Sequence, residues 1–234
     1  MLFIKPGLTY LWTDFISLLF PETCISCNDT LLKNENQICV NCKVNLPVTN
    51  YHLSLNDNPV YNDLKIIENL HAATAYLSYH KFGIAQKMLK QLKYKGNYEI
   101  GQLLGNWYGT HLVDNIKADV ILPVPIHTSK IKQRGYNQSM AIAEGLQSAL
   151  KIPIDQKSVI RTKKTLTQTK RQKVDRWHAM REVFTVIETG AIQGKDILIV
   201  DDVITTGATL FSLCHTINTA SPGSLQIVAM ATGK

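Results

Sequence analysis

The stretch over residues 197–209 constrains the fold of this chain more than any other, and it reads Ile-Leu-Ile-Val-Asp-Asp-Val-Ile-Thr-Thr-Gly-Ala-Thr. Its first four residues are branched and apolar, and Gly194 precedes them. A run of this length is too short for a typical helix. It predicts a strand that is buried on both faces, as in a parallel sheet. Asp201 and Asp202 then stand at the carboxyl end of this strand.

Small and hydroxyl-bearing residues follow the two acids and lead into a helix that begins near Leu210. A loop of this kind can turn its backbone N–H groups towards one point at the helix N-terminus, where they attract a phosphate. The loop residues are Thr205, Thr206, Gly207, Ala208 and Thr209. The aspartates cannot bind that phosphate, but they can accept hydrogen bonds from sugar hydroxyls or hold a divalent metal ion. The stretch therefore predicts a site for a phosphorylated sugar.

Two other interpretations fit a strand that ends in two acids. It could be the Mg²⁺-holding strand of a P-loop NTPase, but the sequence contains no G-x-x-x-x-G-K-[ST] motif. It could also be an ordinary strand-to-helix turn, although an acid pair and a complete phosphate loop rarely coincide. Residue for residue, the stretch resembles the phosphoribosyl-pyrophosphate (PRPP) binding signature of type I phosphoribosyltransferases: four apolar residues, two acids, two apolar residues and Thr-Thr-Gly-x-Thr.

The chain of 234 residues has a formal net charge of +7, which favours anionic partners such as phosphates or nucleic acid. Residues 128–181 contain thirteen Lys or Arg and three acids, a local excess of ten. The part from 161 to 181 is basic and lacks apolar periodicity. Two interpretations remain open for it: a flap that closes over a charged substrate, or a solvated surface that contacts DNA or RNA.

Residues 1–22 are apolar enough to resemble a signal sequence or a membrane anchor. Leu11, Phe15 and Leu18 recur at helical spacing, whereas charged residues such as Asp14 interrupt any run of membrane length. We predict an amphipathic helix packed on the protein, with docking to a membrane surface or a partner as the alternative. No integral membrane segment or export signal is predicted, so the protein is expected in the cytoplasm.

Two C-x-x-C pairs, separated by eleven residues, lie within residues 23–45. Each pair can offer two thiolates from a tight turn, and two such turns supply the four tetrahedral sulfur ligands that Zn²⁺ prefers. Disulfides are the alternative, which a reducing compartment disfavours. The spacing predicts a closed, structural zinc ribbon with four ligands: Cys24, Cys27, Cys39 and Cys42.

A second apolar strand, predicted over residues 120–124, ends in Pro-Val-Pro and is followed by a basic loop. The loop contains His127, Lys130 and Arg134, and Gly-Tyr-Asn-Gln then leads into a helix that runs to about residue 150. A strand, a constrained basic turn and a helix suit a pyrophosphate-binding loop. Arg134 is the stronger candidate because a guanidinium fork matches phosphate oxygens, whereas His127 is expected to be structural or merely near the site.

Residues 46–70 are rich in Asn, Asp, Pro and Ser and are predicted to be a linker that leads to a domain over residues 71–234. Lys93 and Lys95, between two predicted helices, are either solvated or able to reach a substrate. The stretch over 184–186 is expected to return to the main sheet. The other elements predicted in this domain are strands over 72–79, 159–160 and 225–231 and helices over 84–92, 100–112 and 211–218.

Several motifs together resemble the ComF family. They are the four-cysteine ribbon, Pro-Val-Pro-Ile-His at 123–127, Arg-Gly-Tyr-Asn-Gln at 134–138, a segment over 161–184 with Gln168 and Arg176, and the stretch over 197–209. The resemblance implies a type I phosphoribosyltransferase-like parallel sheet flanked by helices, with a small N-terminal zinc ribbon. It also implies that Asp201 and Asp202 hold the ribose hydroxyls of PRPP and that residues 205–209 cradle its 5′-phosphate.

By the same resemblance, the expected chemistry is displacement of pyrophosphate from C1 of PRPP, with Mg²⁺, Lys130 and Arg134 near the leaving group. The family is associated with DNA uptake in natural transformation, which implies single-stranded DNA and a competence helicase as partners. The sequence does not identify the acceptor. The rival hypothesis is a non-catalytic accessory protein that binds single-stranded DNA and keeps the PRPP fold as a scaffold or sensor.

Overall fold

The computed structural model of the chain describes residues 20–94, 96–162 and 183–233. The chain divides into two units, one ending at Leu46 and the other starting at Pro47. The amphipathic helix predicted over residues 1–22 and the basic segment over 161–181 lie largely outside the described residues. Among the helices that are described, none is long and apolar enough to cross a lipid bilayer.

The smaller unit is held by short backbone contacts around its cysteines. Isolated antiparallel bridges join Thr23 to Thr30 and Asn36 to Ile38, so each C-x-x-C pair lies beside a tight turn. One short helix, α1 (Val40–Val44), follows the second turn. The Glu35 carboxylate stabilises this turn because it accepts hydrogen bonds from the backbone N–H groups of Leu32, at 2.7 Å, and Val40, at 2.6 Å.

The larger unit contains a four-stranded sheet in which all neighbouring strands are parallel. Its strands are β1 (Leu70–Ser78), β2 (Val120–Pro123), β5 (Asp196–Ile204) and β6 (Ser224–Thr232), in the order β1-β6-β5-β2. Strand β6, one of the two inner strands, is buried along its whole length, as expected for a sheet covered on both faces. The predicted fold class, a parallel sheet flanked by helices, is confirmed.

Six α-helices in the described part of the larger unit accompany this sheet. They are α2 (Pro59–Leu64), α3 (Ile84–Tyr94), α4 (Tyr98–Leu112), α5 (Thr128–Arg134), α6 (Gln138–Leu150) and α7 (Ala208–Asn218). Helices α4 and α6 pack backbone to backbone, because a Cβ atom at Gly105 would clash with the carbonyl oxygen of Ile142 and one at Gly145 with that of Gln102. The predicted loop after β2 contains helix α5. This helix has a single apolar residue, so its sequence shows no apolar periodicity from which a helix could be predicted.

A separate antiparallel pair consists of β3 (Val159–Arg161) and β4 (Phe184–Val186). The prediction that residues 184–186 return to the main sheet is therefore wrong. The outer edge of β2 is occupied instead by the backbone around Ile154: the Ile121 N–H donates to Pro153 at 2.8 Å, and the Asp155 N–H donates to Ile121 at 2.9 Å. A three-residue strand carries no pattern that specifies its partner.

Residues 46–70 do not form the predicted linker, because from Pro47 onwards they belong to the larger unit. The backbone of this segment runs along the outer edge of β1. The Ser78 N–H donates to Pro47 at 2.8 Å, the Thr49 N–H to Tyr76 at 2.9 Å, and the Ala73 N–H to Leu55 at 3.0 Å. Helix α2 then buries Val60 and Leu64 in the core. The polar composition of the segment reflects its exposed face, and for this reason the sequence did not indicate that Val60 and Leu64 are buried.

Candidate functional site

The two acids lie on β5 at the point where one of its two neighbouring strands ends and the other continues. On one side β5 stays paired with β6 as far as Ile204, and Asp201 is opposite Ala229. On the other side β2 ends at Pro123, opposite Val200. The acids therefore lie within β5 near its carboxyl end, which agrees with the predicted position, at the point where β2 no longer pairs with the strand. Ligands of open parallel sheets bind in crevices outside the carboxyl ends of the strands.

Asp201 is partly enclosed and is held by two hydrogen bonds. Its Oδ1 accepts from the backbone N–H of Asp202 at 2.8 Å and from the Oγ of Ser139, on α6, at 3.4 Å. Burial and the adjacent Asp202 carboxylate raise the pKa of Asp201 to about 7, although the positive charge of Lys93 and the two hydrogen bonds act in the opposite direction. Two neighbouring carboxylates in a confined place demand a cation or a hydroxyl-rich ligand.

Lys93 supplies a cation to this acidic pair. Its Nζ lies 3.0 Å from Oδ2 of Asp202, and the two side chains are 24% and 16% exposed. Lys93 stands in the last turn of α3, where a positive charge is favourable. Of the two interpretations of this residue, the solvated one is wrong, whereas Lys95 lies outside the described residues. The sequence could not reveal a contact between residues so far apart.

Two more cations, Lys130 and Arg161, interact with the acids, and a third, Arg134, lies beside Lys130. Burial lowers the pKa of Lys130, on α5, and the positive charges of Arg161, Arg134 and Lys93 lower it further, while Asp202 opposes them. Burial also lowers the pKa of the Arg161 guanidinium, and Asp201 opposes that effect. Arg161 ends β3 and lies with its Cζ 5.3 Å from the centre of the Phe184 ring. The sequence pattern marks Arg161 only as the start of the basic segment.

The Arg-Gly-Tyr-Asn-Gln stretch at residues 134–138 makes hydrogen bonds that hold in place the helices carrying the cations. Nη1 of Arg134 donates to Oε1 of Gln138 at 2.8 Å, and Gly135 ends α5 in the left-handed conformation, with φ of 87°. The Tyr136 hydroxyl donates to the carbonyl oxygen of Leu92 at 2.6 Å, in the last turn of α3. Asn137 caps α6 and donates to the carbonyl of Val124 at 3.1 Å. The stretch thus connects α3, α5, α6 and the end of β2.

His127 has a local structural contact. Its Nδ1 accepts a hydrogen bond from the backbone N–H of Ser129 at 3.2 Å, so the ring caps the N-terminus of α5. Its position agrees with the interpretation of a structural residue near the site. Because α5 carries Lys130 and Arg134, the cap helps to position both cations.

The predicted phosphate loop over residues 205–209 opens helix α7. Gly207 precedes the helix with φ of 73°, and a Cβ atom there would lie 2.7 Å from Cδ2 of Leu64. Thr205 and Thr206 are exposed, and Oγ1 of Thr206 lies 3.5 Å from the backbone N of Ala208. The first N–H groups of a helix have no carbonyl partner within it. With Thr209 partly exposed in the first turn, the loop presents these donors where an anion can reach them.

The four cysteines of the smaller unit come together as predicted. Their sulfur atoms all lie within 4.8 Å of one another, and Cys27 Sγ is 3.6 Å from Cys39 Sγ. Backbone N–H groups point at two of the sulfurs: Cys39 donates to Cys24 Sγ and Cys42 to Cys39 Sγ, both at 3.4 Å. Four sulfurs at these distances, stabilised by N–H donors, fit the ligand set of a zinc ion. The cluster could therefore hold zinc.

Comparison with known protein families matches residues 98–234 to the Phosphoribosyl transferase domain. The match covers more than half of the 234 residues. The chain belongs to this family. The matched region of the phosphoribosyl transferase domain includes both acids, the phosphate loop and three of the four cations. Lys93 lies just before it.

Two relatives of this phosphoribosyl transferase domain protein match more of the chain than the family model does, and a third matches about half of it. The chain is 27% identical to Competence protein ComFC of Bacillus subtilis (strain 168) over 197 residues, 82% of this chain and 77% of that protein. It is 25% identical to DNA utilization protein YhgH of Escherichia coli O157:H7 over 232 residues, 95% of each chain. Competence protein F of Haemophilus influenzae is 30% identical over 114 residues, 48% of this chain and half of that protein. The resemblance to the ComF family is confirmed.

Proposed function

We propose that this protein binds PRPP together with Mg²⁺ and transfers its phosphoribosyl group to an acceptor. One observation carries the proposal: the acidic pair on β5, the loop that leads from β5 into α7, and the cations beside the acids all lie at the carboxyl end of one parallel strand. PRPP has a phosphate at one end, hydroxyls in the middle and a pyrophosphate at the other end. The site offers a matching partner for each part.

The three parts of PRPP would be bound by different elements. Residues 205–209 would cradle the 5′-phosphate with backbone N–H groups and the hydroxyls of the threonines. Asp201 and Asp202 would accept hydrogen bonds from the ribose hydroxyls. Lys130 and Arg134 would bind the pyrophosphate, with Arg161 beside them. Arg134 already donates a hydrogen bond to Gln138, so its guanidinium group would lose less conformational entropy when the ligand binds.

The chemical step would be mainly electrostatic. As the bond between C1 and the pyrophosphate oxygen breaks, positive charge develops on the ribose and negative charge on the leaving group. In the proposed binding mode, the carboxylates would lie near the first charge and the cations near the second. Oxygen atoms of the acids and of the ligand are the donors that Mg²⁺ prefers, and a bound Mg²⁺ would further neutralise the leaving pyrophosphate.

Zinc in the smaller unit would have a structural role. Four thiolates leave no coordination position for water or substrate, so this zinc would not take part in catalysis. Residues 23–45 are too few to bury a substantial core of their own, and metal binding can supply the missing folding energy.

The first test is calorimetric titration of PRPP and Mg²⁺ into the full, zinc-loaded chain. We expect binding that is lost in Asp201→Asn/Asp202→Asn and retained in Asp114→Asn, a matched control at an exposed aspartate of the same unit. Pyrophosphate release is then measured against nucleobases and single-stranded DNA to identify the acceptor. A natively folded protein that fails to bind PRPP would contradict the proposal, and binding without release against any acceptor would leave a sensor rather than an enzyme.

A second candidate function is binding of single-stranded DNA in the service of DNA uptake, with a competence helicase as a partner. Two observations favour it: relatives are named for competence and DNA utilization, and residues 128–181 carry a local excess of ten positive charges. Neutralising Lys163, Lys164, Lys170 and Arg171 should abolish salt-sensitive binding of single-stranded DNA, whereas Asp201→Asn should not change it. Binding that persists after neutralisation would contradict this role for the segment.

A further inference from the structure

The ion pair between Lys93 and Asp202 has a consequence for metal binding. We propose that Lys93 is the resident counter-ion of the acidic pair and prevents Asp201 and Asp202 from capturing a divalent cation before PRPP is present. The cation would then enter only with the ligand. The inference rests on the proposed function for the identity of that ligand, but the ion pair and its competition with metal do not depend on it.

The geometry places Lys93 where a metal ion would have to bind. Its Nζ is 3.0 Å from Oδ2 of Asp202, and about three quarters or more of each side chain is withdrawn from solvent. In such surroundings, Coulomb interactions are stronger than at an open surface. Asp201 has its Oδ1 engaged by the Asp202 N–H and by Ser139. A divalent cation bridging the two carboxylates would therefore have to displace the ammonium group or share Asp202 with it.

The position of Lys93 is set by contacts that do not involve the acids. The preceding residue, Leu92, is fully buried, and its carbonyl accepts the 2.6 Å hydrogen bond of the Tyr136 hydroxyl. The end of α3 is thus joined to the stretch that carries Arg134. Lys90, one turn earlier on the same helix, is exposed. The two lysines share helix and charge but not surroundings.

Entry of PRPP offers Lys93 another anion. The pyrophosphate adds negative charge on the cation side, and the ribose hydroxyls need the oxygen atoms of Asp202. Exchange of the ammonium from the carboxylate to the pyrophosphate keeps every charge paired, and it frees Asp202 at the moment when the ligand requires it.

The test measures binding of Mn²⁺ alone to the full, zinc-loaded chain, by the electron paramagnetic resonance signal of free Mn²⁺. The pH is about 8.5, above the raised pKa of Asp201, so that this carboxyl group is ionised. The Asp201→Asn/Asp202→Asn variant defines binding at unrelated sites. We expect Lys93→Gln to bind Mn²⁺ at the acidic pair about tenfold more tightly than the wild type, whereas Lys90→Gln and Lys93→Arg should match the wild type.

Equal Mn²⁺ affinity in Lys93→Gln and the wild type would overturn the inference, as would an equal gain in Lys90→Gln. Tyr136→Phe serves as a second variant, since it removes only the hydroxyl that fixes the end of α3, and a gain of about two- to threefold is expected. If Lys93→Gln gains Mn²⁺ affinity but neither the wild type nor any variant binds PRPP, the proposed function fails while the counter-ion role stands. If PRPP binds normally and the Mn²⁺ affinity does not change, only the counter-ion role fails.

Discussion

The two sides of the candidate site are built in different ways. The acids and the phosphate loop come from one stretch of chain, the end of β5 and the start of α7. The cations come from three separate elements: Lys93 from α3, Lys130 and Arg134 from α5, and Arg161 from β3. A contiguous side is fixed by local backbone geometry, whereas a dispersed side depends on tertiary packing. Substitutions on the two sides should therefore have different consequences.

The largest effect is expected for Gly207→Val on the contiguous side. The positive φ disfavours any side chain at this position, and a Cβ atom would lie 2.7 Å from Cδ2 of the buried Leu64, so the loop or the Leu64 side chain must shift. We expect the affinity for both PRPP and ribose 5-phosphate to fall on the order of 100-fold, because both carry the 5′-phosphate. Competition calorimetry measures this loss. Gly190→Val is the matched control, since no atom lies near a Cβ there; equal losses in the two variants would refute the local explanation.

Arg134→Gln should have a smaller and more selective effect on the dispersed side. Loss of the guanidinium should weaken PRPP binding by about tenfold, the usual worth of a charge-assisted hydrogen bond. Binding of ribose 5-phosphate should not change because this ligand has no pyrophosphate. Lys132→Gln, an exposed position on the same helix, provides the control. If ribose 5-phosphate were weakened as much as PRPP, Arg134 would not belong to the pyrophosphate side.

The contiguous side was predictable because its information is local. A strand, two acids and a glycine-centred loop within thirteen consecutive residues specify both the parallel sheet and the phosphate donors. Lys93, Ser139 and Arg161 were not predicted as site residues, since each approaches the acids only through packing of distant elements. Polar composition likewise concealed the anchoring of residues 46–70.

A pH-dependent effect on stability is expected for Asp201→Asn. The pKa of Asp201 is raised from 3.8 to about 7, so the folded state holds the proton more tightly than the unfolded chain. The resulting stability is present below about pH 4 and is lost as the pH rises through about 7. In magnesium-free buffer, the variant should therefore gain more stability at pH about 8 than at pH about 5, by on the order of 1–3 kcal/mol.

Urea unfolding of the wild type and of Asp201→Asn at the two pH values measures this difference. Asp114→Asn, at an exposed position of the same unit, is the control variant. A gain that is the same at both pH values would contradict the argument, because it would mean that Asp201 carries no extra proton in the folded state. The expected sign implies that the acidic pair is kept at a cost in stability, as is common at binding sites.

The smallest effect is expected for Tyr136→Phe. The hydroxyl makes one hydrogen bond, to the carbonyl of Leu92, and its loss should lower the free energy of unfolding by about 0.5–1.5 kcal/mol. Tyr61→Phe, on α2, is the comparison variant for a tyrosine of the same unit. Chemical denaturation measures the change. If PRPP affinity fell in Tyr136→Phe as far as in Arg134→Gln, the dispersed side would depend on this one hydrogen bond far more than its geometry suggests.

The course of residues 47–55 along β1 has a further consequence for how the protein behaves in concentrated solution. An outer strand with unpaired N–H and C=O groups is a template on which other chains can add strands and aggregate. In the described part of the chain, the segment after Pro47 occupies the outer side of β1, and residues 153–155 occupy the outer side of β2. Both margins of the sheet are thus covered by irregular backbone. Proteolytic cleavage within either covering segment should expose an edge to which another chain can add a strand.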